Sequence, residues 1–146
     1  MIRALRQEEI ETPEFRSLLW LAAEVDDGQL DAIVCRELPR LDLLACVDDH
    51  RLKGFIAFEP GLDPVTIHYL AVAEDARGEG CGRALVERVR ALAPGRSLYA
   101  ETDDDAVAFY GRLGFEVRVC ASDPRWPDRT RYACLLSPTE CEGQTA

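Results

Sequence analysis

Apolar residues along this chain follow two rhythms, a three-to-four-residue spacing that predicts helices and short unbroken runs that predict strands. Ile2–Arg6 reads as a short first strand. Thr12-Pro13-Glu14 reads as a helix start, with a capping hydroxyl, proline at the first helical position and an acid in the first turn. That helix is expected to run to about Ala23. Leu30, Ile33, Val34 and Leu38 keep helical spacing until Pro39 stops it. Leu41–Val47 and Gly54–Glu59 predict a hairpin turned at Asp48-Asp49-His50, and Val65–Val72 predicts a long third strand. Cys81, Leu85, Val89 and Leu92 share one helical face, ended by Pro94-Gly95. Ser97–Glu101 predicts a strand. Asp103 to Asp105 are expected to cap a helix carrying Ala106, Phe109 and Leu113, stopped at Gly114. Phe115–Cys120 and Thr130–Leu136 predict two last strands. The order β-α-α-β-β-β-α-β-α-β-β describes an α/β mixture with hairpins and one β-α-β crossover.

Length and composition narrow the class. The chain has 146 residues, 47% apolar and 30% charged. That suits one globular domain, expected over residues 1–136, with a flexible tail over 137–146. No apolar run approaches the roughly 20 residues of a membrane span, and the N-terminus lacks a signal-peptide core, so the expectation is a cytoplasmic protein with no membrane partner. The six cysteines, Cys35, Cys46, Cys81, Cys120, Cys134 and Cys141, include no C-x-x-C pair, and the only histidines are His50 and His68. No metal site is expected, and in a reducing cytosol no disulfides. A net charge of −10 argues against nucleic acid as a partner and favours cationic substrates. Lys53 is the single lysine beside sixteen arginines. It rules out a G-K-[ST] phosphate loop and leaves Lys53 alone to serve as a Schiff-base lysine.

The chemistry concentrates between Val65 and Leu92. A strand is followed by Arg77-Gly78-Glu79-Gly80-Cys81-Gly82-Arg83, and then by a helix. Glycines allow close backbone approach to a ligand, and a helix start offers free N–H groups at a positive dipole end. With Arg77 and Arg83 alongside, that is an anion site suited to a pyrophosphate.

Leu70-Ala71-Val72 followed by Arg77-x-x-Gly80-x-Gly82 resembles the coenzyme A signature of the GCN5-related N-acetyltransferase (GNAT) superfamily. Asp105-Ala106-Val107-Ala108-Phe109-Tyr110 through Gly114-Phe115 resembles that family's second signature. The family often carries Asn where this chain has Asp103. The resemblance implies a mixed, mostly antiparallel sheet of about seven strands flanked by about four helices. It implies acetyl-CoA as co-substrate, held by backbone across Arg77, Gly78, Glu79, Gly80, Cys81, Gly82 and Arg83. Leu70, Ala71 and Val72 would line the pantetheine arm, and Asp103, Ala106 and Phe109 would complete the cofactor site.

The same resemblance implies that Tyr110 protonates the departing thiolate, and that an amine attacks directly in a ternary complex. A phenol with a reference pKa of about 10 still holds its proton at neutral pH. His68 and Glu101 are both candidates for the base, directly or through water. The acceptor is a small-molecule amine or a peptide or protein amine. Trp126 falls in a loop that often borders the acceptor pocket in this family, and Glu24, Asp26, Asp27 and Asp31 form an acidic cluster that could attract a cationic amine. A homodimer is a further expectation. Two other readings compete: a non-catalytic coenzyme A sensor of the same fold, and a dinucleotide-binding domain. The second is opposed by Arg83 at the third glycine position of G-x-G-x-x-G.

Overall fold

The structure is a computed structural model that describes residues 1–121, 124 and 127–138; Trp126, Cys141 and most of the expected tail lie outside the described residues. The elements are β1 (Ile2–Ala4), α1 (Gln7–Ile10), α2 (Pro13–Ala23), α3 (Asp27–Ala32), β2 (Asp42–Asp48), β3 (Arg51–Glu59), β4 (Val65–Val72), α4 (Cys81–Leu92), β5 (Leu98–Asp103), α5 (Val107–Arg112), β6 (Glu116–Cys120) and β7 (Arg131–Leu136). The seven strands form one sheet ordered β1-β2-β3-β4-β5-β7-β6. Every neighbouring pair is antiparallel except β4 and β5, the two strands joined through α4.

Local chemistry explains the boundaries. Thr12 caps α2 by accepting from the Phe15 amide at 3.2 Å, with Pro13 behind it. Helix α1 carries no apolar period for the eye to find. It is fixed instead by Glu9, which accepts from the Arg6 amide at 2.8 Å and from Arg3 at 2.9 and 2.6 Å. Hydrogen bonding to the Arg3 guanidinium pulls the Glu9 carboxyl down to about 2. The helix predicted up to Pro39 instead leaves α-geometry after Ala32, passing through a wide turn at Ile33–Glu37 and a tight one at Leu38–Arg40. The predicted aspartate cap of α5 is also absent. Ala106 stands at the N-cap, and the Asp103 side chain accepts from the Asp105 amide at 3.0 Å, which makes a turn before the helix. Strand β5 runs on to Asp103 because its partner β7 sets Arg131 opposite.

Two cores lie on opposite faces of the sheet. One packs Cys81, Leu85, Val86 and Val89 of α4, with Tyr110 and Phe115, against Ile56, Phe58, Val65, Ile67 and Leu98. The other packs Phe15, Leu18 and Leu19 of α2 with Leu30 and Ile33 against Ala45, Phe55, Ala57 and Ala71. Phe15 and Phe55 meet ring to ring, centroids 4.8 Å apart. Side chains should alternate between these faces along each strand. On β4 they do not: Val65 and Ile67 face the first core, whereas Tyr69 and Ala71 face the second. The register shows why. Phe58 pairs with Ile67 and Ala57 with Tyr69, so His68 is the extra residue of a bulge. A second bulge, at Lys53, separates the pairs Cys46–Gly54 and Val47–Leu52.

Beyond the second bulge, β3 and β4 approach closely. A Cβ on Gly54 would lie 2.8 Å from the Ala71 carbonyl oxygen. Gly54→Ala must push two central strands apart, and its unfolding free energy in urea is expected to fall by about 1–3 kcal/mol, the usual cost of overpacking. An unchanged midpoint would show that the strand pair yields freely.

Candidate active site

The parallel β4–β5 ladder is short. Val65 pairs with Leu98, Thr66 with Tyr99 and Ile67 with Ala100, and the ladder then stops. Both strands continue, β4 to Val72 and β5 to Asp103. The break falls at the His68 bulge, where β4 turns its phase. Among the described residues, the β5-facing edge of residues 68–72 therefore meets no strand, and a groove opens between the carboxyl ends of two parallel strands. Ligands of open α/β sheets bind in such crevices.

At the head of this groove stands the glycine loop. After β4 comes a short turn, Glu74–Ala76, and then Gly78 and Gly80 at φ +85° and +86°. A Cβ at either would meet nothing within 4 Å, so what demands glycine there is the left-handed backbone. Gly80 is the N-cap of α4 and supplies no side-chain acceptor, so the first amides of a twelve-residue helix stay open. Arg77 and Arg83 are both exposed, and neither pairs with an acid among the described residues. Open amides, a positive helix end and two free guanidiniums fit a diphosphate.

Gly82 has a different task. A Cβ there would lie 3.0 Å from the Phe109 ring and 3.7 Å from Val72. The two motifs thus meet at one contact, with β4, α4 and α5 closing on Gly82. The Tyr110 ring next door is only 6% exposed and sits edge-on to Phe109 and Phe115, each centroid 5.2 Å away. Burial pushes its phenol pKa well upward, so the hydroxyl keeps its proton at neutral pH and has one to give.

The remaining predicted residues separate. His68, at the bulge, lies 3.2 Å from Glu59. Glu101 on β5 accepts from the Tyr99 hydroxyl at 2.7 Å and has Arg131 at 3.9 Å. Asp103 meets Arg129 at 3.2 Å, and the same guanidinium reaches Glu24 at 3.2 Å. Of the acidic cluster only Glu24 reaches the end of β5, through the Arg129 guanidinium that it shares with Asp103. Asp26 caps α3 through the Gln29 amide at 2.8 Å, while Asp27 and Asp31 clamp Arg16. The Tyr69–Glu37 hydrogen bond, 2.6 Å, ties the wide turn after α3 to the strand just past the bulge. Sequence reading missed it and missed Arg129, whose partner Glu24 is 105 residues away; no local spacing signals such pairs. The Schiff-base role considered for Lys53 does not hold. Its amine bonds to Glu79 and Asp48, which raise its pKa, whereas that chemistry needs a neutral amine.

Fold and groove together define an acyl-CoA-type transferase scaffold. The Acetyltransferase (GNAT) domain family matches residues 39–117, more than half of the chain. The chain belongs to the GNAT acetyltransferase family. It is 34% identical over 92 residues to the peptidyl-lysine N-acetyltransferase YjaB of Salmonella typhimurium, a match spanning 62% of this chain and 61% of that relative. Its fold is similar to the ribosomal-protein-S18-alanine N-acetyltransferase of Escherichia coli, with TM-score 0.74, 19% identity, and 97% and 95% of the two chains covered. It is likewise similar to an aminoglycoside 6'-N-acetyltransferase complexed with coenzyme A, with TM-score 0.73, 21% identity, and 94% and 96% covered. The dinucleotide reading is overturned by the sheet. It is mostly antiparallel, and the Glu74–Ala76 turn separates the glycines from β4, where that fold needs a tight strand-to-helix turn.

Cys81 opens α4, a position that often lowers a thiol pKa. Here burial, with the Cys46 thiol beside it, pushes it up to about 12. In native protein at about pH 8, a thiol-alkylating reagent should modify exposed Cys35 and leave Cys81 unmodified until denaturant is added, as mapped by mass spectrometry. Rapid native labelling of Cys81 would mean an activated thiolate.

Proposed function

We propose that this chain transfers an acetyl group from acetyl-CoA to a primary amine on a peptide, a protein or a small molecule. One observation carries the reading: the uncapped start of α4 stands at the head of a strand edge that the sheet leaves open. Amides of Gly78 to Arg83, with the Arg77 and Arg83 side chains, would hold the diphosphate. The freed edge of Leu70, Ala71 and Val72 would take the amides of the pantetheine arm as an added strand takes its neighbour. An amide near Leu70 would polarise the thioester carbonyl as negative charge grows on its oxygen.

The acceptor amine attacks the thioester carbon directly, the carbon–sulfur bond breaks, and Tyr110 supplies a proton to the leaving sulfur. A phenol that holds its proton at neutral pH has one to supply to the departing thiolate, and the same protonation disqualifies Tyr110 as the base. His68 and Glu101 remain the groups able to take the amine's proton, directly or through water. Positioning alone supplies a large share of such a rate, because both reactants are held in one groove. Carboxylates of Glu24, Glu37, Glu59, Glu101 and Asp103 on the acceptor side, each already tied to a partner, suit a cationic amine over an anionic one.

Calorimetric titration with acetyl-CoA is expected to show saturable one-site binding, and an amine panel should reveal turnover. Tyr110→Phe should keep that affinity while kcat falls roughly hundredfold, the size of a lost general acid. Because burial raises the Tyr110 pKa, the kcat profile should show no alkaline decline from this residue below about pH 10. Turnover unchanged in Tyr110→Phe would remove Tyr110 from the chemistry.

A further inference from the structure

The glycine loop that would receive a diphosphate also carries carboxylates. Glu79 sits between the two left-handed glycines, one residue before the N-cap of α4, and Asp75 lies in the turn that precedes them. In a chain of net charge −10, a free acid here would repel a polyanion. It would also compete for the same amides, since a carboxylate is a good acceptor at a helix start. Neither acid is free. Asp75 is bonded by Arg51, and Glu79 by Lys53 at 2.8 Å. Both cations come from the start of β3, and Lys53 is the bulge residue of that strand. The bulge inserts Lys53 beside Asp48 as well, at 3.3 Å, and leaves its side chain only 17% exposed while that of Glu79 is 50% exposed.

We infer that Lys53 is a positioning residue for the donor site: its ammonium draws the Glu79 carboxylate towards β3 and away from the open amides of α4, keeping them available for an anion. Lys53 acts through Glu79, not through a contact with substrate. The inference rests on the donor-site reading given above. It explains why the single lysine of the chain stands where an arginine, the cation used sixteen times elsewhere, is absent. A compact ammonium with three donors can serve two carboxylates, Glu79 and Asp48, from the bulge position of β3.

Coenzyme A is the probe, titrated by calorimetry against the wild-type chain, Lys53→Gln, and the double variant Lys53→Gln/Glu79→Gln. Thermal unfolding is followed in parallel. Lys53→Gln should raise the dissociation constant about tenfold at low salt, less at high salt as screening weakens the freed carboxylate. Adding Glu79→Gln should restore most of the lost affinity, an outcome a merely destabilised loop would not give. Equal losses in the single and double variants would overturn the inference, because Lys53 would then act by some route other than Glu79. Wild-type affinity in Lys53→Gln would overturn it alone, with the donor site intact. If the wild-type chain failed to bind coenzyme A, the donor-site reading would fall and this inference with it.

Discussion

Everything at the candidate site depends on a parallel strand pair that stops too soon. Three residue pairs join β4 to β5, and then a single extra residue, His68, turns β4 out of phase. A strand edge inside a sheet carries backbone donors and acceptors that must be satisfied. Leaving such an edge open is costly unless something else supplies its partners, and an extended amide-bearing chain can do so in the manner of a strand. The bulge therefore does two things at once. It opens the groove, and it swings Tyr69 and Ala71 to the α2 face while Leu70 and Val72 turn to the α4 face.

Around that opening the packing is conservative. Gly82 lets α4 lie against Phe109 and Val72, which fixes the helix start at the head of the groove and carries Tyr110 behind it. Gly78 and Gly80 then arrange the loop with left-handed backbone that other residues adopt at a cost. On the opposite face α2 reaches over the end of the sheet, where Glu24 and Asp103 share the Arg129 guanidinium. The charge distribution follows from this division. At the end of β5 the acids Glu24 and Asp103 are tied to Arg129, and around the glycine loop Asp75 and Glu79 pair with Arg51 and Lys53, while among the described residues Arg77 and Arg83 pair with no acid.

Much of the fold was legible in the sequence, because regular elements bury periodic apolar faces. The bounds of β4 match the pattern to the residue, and α4 runs from the first to the last residue of its apolar face, Cys81 to Leu92, just short of the Pro94-Gly95 stop. The glycine loop and the Ala106–Phe115 segment were readable because backbone conformation and close helix packing demand specific residue types. What escaped had no local signature. Helix α1 is one turn with a single apolar residue, Ile10, too short to show a period, and it is fixed by Glu9 and Arg3. The bulges at Lys53 and His68 are facts about register, which a single strand's pattern does not contain. The acidic stretch from Glu24 to Asp31 looked like one cluster, yet tertiary contacts divide it among a helix cap, an arginine clamp and the Arg129 guanidinium at the end of β5. Long-range pairs such as Glu24–Arg129 and Tyr69–Glu37 become visible only when the chain is folded.

The central claim is that the open β4 edge and the uncapped start of α4 form one binding surface. Amide hydrogen exchange of the full chain, followed by mass spectrometry with and without saturating acetyl-CoA, reads that surface directly. The account predicts slowed exchange concentrated in peptides covering residues 68–83, with a smaller effect over 102–110 and little change in β1, β2 and α2. Protection spread evenly over the sheet, or confined to segments outside the β4–α4 junction, would contradict it.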